Sequence, residues 1–131
     1  MFKITSITDA LSAPVKIKHP VTGEDLGASI TVAGPEHPAR KAIEFAKQRK
    51  IRSALQKTGK IELGDPAEDE LDLADKLTAC TLAWDGITDD DGKPIEFSTD
   101  AAAKLYATEG LGWLRDQLIA AMGERERFIK A

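Results

Sequence analysis

The chain is poor in the residues that carry most protein chemistry. It has one cysteine, two histidines and only 5% aromatic residues among its 131. A single cysteine, Cys80, cannot close an internal disulfide, which excludes a disulfide-stapled scaffold and suits a reducing compartment. His19, His37 and Cys80 are a thin inventory for a transition-metal site. Scarce aromatics argue against a stacking platform for single-stranded nucleic acid. No apolar run approaches the roughly 20 residues of a membrane span. The opening Met1-Phe-Lys-Ile-Thr-Ser lacks the apolar stretch of a signal peptide. No serine sits in a Gly-x-Ser-x-Gly elbow, and neither glycine-rich phosphate loop occurs. Carboxylates are plentiful, but nothing selects an acid/base pair among them. We therefore expect no catalytic residue, no cofactor and no metal, and a protein that is not an enzyme.

What is present is 42% hydrophobic and 31% charged residues in 14.2 kDa, enough for one domain over 1–131 with a thin core. The net charge of -4 hides a split. Residues 1–60 hold 11 Lys/Arg against 5 Asp/Glu, a balance of +6; residues 61–131 hold 7 against 17, a balance of -10. The basic part gathers in 40–60, with Arg40, Lys41, Lys47, Arg49, Lys50, Arg52, Lys57 and Lys60 against Glu44 alone. The acidic part follows at once with Glu62, Asp65, Glu68, Asp69, Glu70, Asp72 and Asp75. Three explanations compete. Two solvated helix faces of opposite sign are the plain one. Head-to-tail self-association, basic face on acidic face, is the second. DNA binding through 40–60 is the third; it is disfavoured because the adjacent acidic run repels phosphates.

Hydrophobic periodicity predicts a hairpin followed by helices. In 14–19, Val15 and Ile17 alternate with Lys16 and Lys18. In 28–33, Ala28, Ile30 and Val32 alternate with Ser29 and Thr31. The turn-rich His19-Pro-Val-Thr-Gly between them makes a β-hairpin over 14–33. Such a hairpin is marginal alone, so its apolar face must pack on something else. Gly34-Pro-Glu-His-Pro opens a helix running from near Ala39 to near Lys57, with a sparse stripe of Ala39, Ala42, Ile43, Ala46, Ile51, Ala54 and Leu55. Asp65-Pro66-Ala67-Glu68 is a capping box that starts a second helix, in which Leu73, Leu77, Cys80 and Trp84 share one face. That helix is expected to end near Trp84-Asp85-Gly86, with a loop over 87–97. Ser98 caps a third helix through Ala101, Ala102, Leu105 and Tyr106. A fourth carries Leu111, Leu114, Leu118, Met122 and Ile129. The expected fold is α+β and mainly α: an N-terminal β-hairpin (14–33), then about four helices (36–131) around one small core. Leu73, Leu77, Trp84, Leu105, Leu114, Leu118 and Met122 are the expected shared core.

Several tempting motifs have plainer explanations. Asp89-Asp90-Asp91-Gly92 invites a calcium loop, but with Gly92 at the sixth position the first and twelfth are Ile87 and Ser98, so both carboxylates are missing. An acidic turn explains it. Cys80, on an apolar helix face, reads as a buried inert thiol. His19 and His37 each precede a proline and read as turn residues. Trp84 and Trp113 are the unusual investment: core anchors on the plain reading, protein-contact anchors on the functional one.

The second half carries a resemblance. Leu82-Ala-Trp-Asp-Gly-Ile-Thr, Asp91-Gly-Lys-Pro-Ile-Glu-Phe-Ser, Ala102-Ala-Lys-Leu-Tyr, Trp113-Leu-Arg-Asp-Gln-Leu and Arg127-Phe-Ile resemble the tail assembly chaperones of long-tailed bacteriophages and prophages. The shared pattern is a Trp-x-Gly closing a helix, a polar turn into a Pro-x-x-Phe-Ser helix start, and a Trp-containing C-terminal helix, over residues 70–129. The resemblance implies a non-enzymatic, self-associating helical protein of the host cytoplasm. It would coat the tape measure protein, help recruit tail tube subunits and be absent from the mature virion. Reversible contacts of that kind suit a charge-split chain, since rim ion pairs are individually weak and screened by salt. Arg49, Lys50 and Arg52 on one side, and Glu68, Asp69 and Glu70 on the other, are the expected charged rims, with Trp84 and Trp113 as candidate anchors. The alternatives are a structural protein of the phage tail or head–tail connector, and a small DNA-binding regulator using 40–60.

Overall fold

The computed structural model describes residues 3–59 and 66–130, with side chains throughout these except in 66–71. The alternation seen in the sequence builds the hairpin. Strand β2 (Ser12–Lys18) runs antiparallel to β3 (Asp25–Ala33), with Val15 opposite Ile30 and Ala13 opposite Val32. Ala13, Val15, Ile17, Ile30 and Val32 are buried on one face, while Pro14, Lys16 and Lys18 stay exposed. His19 holds the turn: its Nδ1 accepts the N–H groups of Val21 and Thr22 at 3.1 and 3.2 Å. A short ribbon, β1 (Thr8–Asp9) with β5 (Ile129–Lys130), ties the two ends of the chain together.

Helix α1 (Pro38–Thr58) begins where His37 accepts the Ala39 N–H on its own Nδ1, and ends at Gly59 in the left-handed region. Both histidines are thus turn or cap residues. Helix α2 (Pro66–Cys80) follows; the expected cap at Asp65 lies outside the described residues.

The first correction falls here. The second helix stops at Cys80 and does not reach Trp84. Thr81–Asp85 is a strand, β4, which pairs antiparallel with β3, Trp84 opposite Ile30 and Ala83 opposite Thr31. The hairpin is therefore one part of a three-stranded sheet of order β2-β3-β4. Thr81 marks the point of the switch. Thr81 is β-branched, and its buried hydroxyl bonds back to the Leu77 carbonyl at 2.7 Å while lying 2.6 Å from the Tyr106 hydroxyl. The helix end is stitched to its neighbour there, with both buried hydroxyls satisfied.

Helix α3 (Thr99–Ala107) starts as read, with the Ser98 hydroxyl accepting the Ala101 N–H at 3.0 Å. Helix α4 (Gly112–Gly123) buries Leu114, Leu118, Ala121 and Met122. The second correction concerns its end. The last helix does not extend to Ile129; a 3-10 turn (Arg125–Phe128) and β5 follow it, and Ile129 is exposed. Phe128 instead turns inward and is fully buried against Gly34.

Over its described residues the chain is α+β and mainly helical, with four α-helices and an N-terminal antiparallel strand pair. One face of the sheet, together with α2, α3 and α4, encloses the core. Of the expected core, Leu77, Leu114, Leu118 and Met122 are buried, and Trp84 and Leu105 are half-buried at its margin, whereas Leu73, also half-buried, lies outside it and faces the groove between α1 and α2. Tyr106, Phe128, Ile30 and Val32 join it with no exposure at all. Helix α1 has no buried residue and lies against α2, with Ile43 reaching the margin of the core.

Candidate protein-binding surface

Helix α1 is the element whose construction is hardest to explain by folding alone. Its Ala, Lys, Arg, Glu and Gln content gives it strong intrinsic helicity. Its 21 residues span about 30 Å at 1.5 Å per residue. The first turns are tethered: the Arg40 guanidinium donates to the Ala33 carbonyl at 3.4 Å and sits 3.5 Å from Glu44. Lys41 pairs with Glu36 at 2.7 Å and holds its carboxyl below the usual carboxylate range. Arg125 reaches both Asp9, at 2.9 Å, and Glu36, at 3.7 Å. Beyond these turns the helix is exposed, and it presents Phe45, Ile51 and Leu55 to solvent at 53%, 43% and 44% of full exposure.

The two long faces of α1 differ. One faces α2 across a groove of about 730 Å3. Ile43 and Ala46 from α1, and Leu73 and Ala79 from α2, supply its apolar surface; Lys47 and Lys50 stand on the α1 side, Asp72, Asp75 and Lys76 on the α2 side. No ion pair joins these five charges among the described residues. Lys47 and Lys50 of the basic run and Asp72 and Asp75 of the acidic run are therefore neighbours within one chain, and the groove between them carries both signs. The opposite face follows from helix geometry. At about 100° per residue, Phe45, Arg49 and Arg52 fall together on the side away from Ile43, Ala46, Lys47 and Lys50. All three are exposed.

The structure distributes the expected site residues accordingly. Lys50 lines the groove; Arg49 and Arg52 lie on the other face. The side chains of Glu68, Asp69 and Glu70 lie outside the described residues. Trp84 is half-buried on β4, not on a helix. Its indole N–H donates to the Ile95 carbonyl at 2.8 Å, and its ring meets Phe97 edge-on with centroids 5.2 Å apart. It anchors the 87–97 loop to the sheet. Trp113 is half-buried against the core. Phe45 was absent from the expected stripe, although its spacing to Arg49 and Arg52 (i, i+4, i+7) was there to be read.

Other features are structural. Asp89 Oδ1 accepts the N–H groups of Asp91 and Lys93, both at 2.9 Å, so the acidic triplet closes its own turn. Burial pushes the Cys80 thiol up and keeps it protonated, and burial likewise raises the Tyr106 phenol despite the Thr81 hydroxyl beside it. Among the described residues no group of three or more His, Cys, Asp or Glu is placed to hold a metal, and no helix is long and apolar enough to cross a membrane.

A second groove, of about 510 Å3, runs between strand β2 and α4. Here Gln117 acts as a one-residue stand-in for a neighbouring strand. Its Oε1 accepts the Lys18 N–H at 3.1 Å and its Nε2 donates to the Lys18 carbonyl at 2.6 Å. With Pro14 lacking an N–H and Lys16 exposed, this edge of the sheet is guarded against pairing.

No family model matches the chain, and no curated protein or solved structure is significantly similar to it.

Proposed function

We propose that this chain is a non-enzymatic tail assembly chaperone of a long-tailed bacteriophage or prophage. It associates with copies of itself, coats the helical tape measure protein in the host cytoplasm, helps recruit tail tube subunits and is left out of the mature virion. The observation that carries the proposal is the α1–α2 groove. It has an aliphatic and small-residue surface at Ile43, Ala46, Leu73 and Ala79, a cationic rim of Lys47 and Lys50 on the α1 side, and a mixed rim on the α2 side where Asp72 and Asp75 stand with Lys76. An amphipathic helix fits such a groove, laying an apolar ridge on the floor and charges of either sign on the rims. The small residues let a partner backbone approach closely. The rims confer orientation and salt sensitivity, which suits a contact that must later be undone.

The test is direct. A fragment of the tape measure protein encoded beside this chain is titrated against wild type and Ala46→Trp. Ala46 is exposed in the groove wall, so the substitution fills the groove without disturbing the core. We expect wild type to bind, and the variant to keep its melting temperature while losing at least about tenfold in affinity. Equal binding by the two proteins places the helix elsewhere.

A further inference from the structure

The basic and acidic runs of the sequence do not exhaust each other. Lys47 and Lys50 have Asp72 and Asp75 across their own groove. The side chains of Arg49 and Arg52, on the far face of α1, make no hydrogen bond or ion pair among the described residues, and they follow Phe45, which is 53% exposed, along the same face. An exposed aromatic with two unpaired arginines along the same helix face is the composition of an interface centre, where aromatic residues and arginine are enriched.

A matching surface exists on the same chain. Residues 85–100, from the end of β4 to the start of α3, hold six Asp/Glu and one Lys. Asp85, Asp90, Asp91, Glu96 and Asp100 are exposed, and none of them makes an ion pair among the described residues. The segment is rigidly presented. Asp89 closes the turn, the Ile95 N–H bonds the Ile87 carbonyl at 2.9 Å, and Trp84 clamps the Ile95 carbonyl. It also offers apolar contact beside its charges, since Pro94 and Ile95 are exposed.

We infer that the Phe45, Arg49 and Arg52 face of α1 docks on the acidic 85–100 segment of a second copy of this chain. The inference rests on the self-association named in the proposed function and supplies its interface. The two patches lie on different parts of the molecule, so the contact is heterologous: each copy uses its basic face on one neighbour and its acidic segment on another. Such a contact propagates into an open row of copies unless the rotation between them closes a ring. Like charges juxtaposed in the reversed orientation disfavour a two-fold α1–α1 pairing. The groove between α1 and α2 is on the opposite side of α1, so a row of copies held this way leaves every groove free for a helical partner.

A charge-swap experiment by sedimentation velocity tests this. Two variants of the full chain are made, Arg49→Glu with Arg52→Glu, and Asp90→Lys with Asp91→Lys. Asp89 is left intact because it holds the turn. All four positions are exposed, and thermal melts confirm that each variant is folded. Wild type is expected to sediment faster with rising concentration, growing past a dimer, and to return to monomer at high salt. Each variant alone should weaken association by at least about tenfold. An equimolar mixture should restore it, because each variant supplies the face that the other has lost. Association that ignores either substitution, a mixture no larger than its parts, or a basic face whose one measurable partner is duplex DNA overturns the inference. A wild-type chain that binds the tape measure fragment yet stays monomeric overturns it as well and leaves the helix-binding groove standing. A chain that assembles yet ignores the fragment does the reverse.

Discussion

Replacing Phe128 with alanine is expected to cost about 3–5 kcal/mol, the range for deleting a fully buried aromatic ring. Phe128 has no exposure and is the largest apolar side chain contributed by the last nine residues. Its ring lies on the backbone of Gly34: a Cβ added there would meet the ring at 2.9 Å and the Ala10 carbonyl at the same distance. The Phe128 carbonyl also accepts the Ala10 N–H. One residue thus joins the C-terminus, the N-terminal ribbon and the entry to α1. Loss of the ring leaves a cavity and frees all three. For a chain of this length the melting temperature should fall by about 10 °C or more. A fall of less than about 2 °C in a scan that reports the whole chain would show the ring to be peripheral.

The second large effect is expected at Gly86, where β4 ends. Its φ is +78°, a conformation that costs a side-chain-bearing residue about 1–3 kcal/mol. A Cβ there would also come within 2.3 Å of the Gly27 carbonyl oxygen, which is backbone and cannot swing aside. Forcing the two strand ends apart adds the cost of overpacking, about 1–3 kcal/mol. Gly86→Ala should therefore destabilise by more than either contribution alone, and should loosen β4 from β3 and with it the Trp84 anchor of the 87–97 loop. Hydrogen exchange at Ala83 and Asp85 measures this. Unchanged protection at both amides, with an unchanged melting temperature, contradicts it.

The failures of sequence reading fall where two periodicities overlap. Cys80 and Trp84 are four apart, which suits a helix, while Leu82 and Trp84 are two apart, which suits a strand. Local spacing supports both, and the exposed edge of β3 decides between them by offering hydrogen-bond partners that no local pattern reveals. The same overlap extended the last helix to Ile129. The helix ends at Gly123, and the fully buried residue of the tail is Phe128, one position earlier. By contrast the hairpin, the α1 boundaries and the Ser98 cap were legible: the hairpin because two alternating runs are joined by one turn-rich segment, the others because each rests on contacts within a few residues. At the candidate surface, charge was legible and direction was not. Arg49, Lys50 and Arg52 read as one basic rim, yet helical geometry sends Lys50 towards α2 and the two arginines away from it. Phe45 lies outside the apolar stripe, where an aromatic predicts nothing about a core. Its exposure is what gives it interest.

The central claim is that many copies of this chain line one elongated helical partner, and copy number tests it most directly. Complexes with tape measure fragments of increasing length are purified, and their masses are determined by light scattering at low salt. The proposal predicts a number of bound copies that rises in proportion to fragment length, and dissociation of the complexes at high salt. A fixed number of copies whatever the length, or no complex at any length, contradicts it.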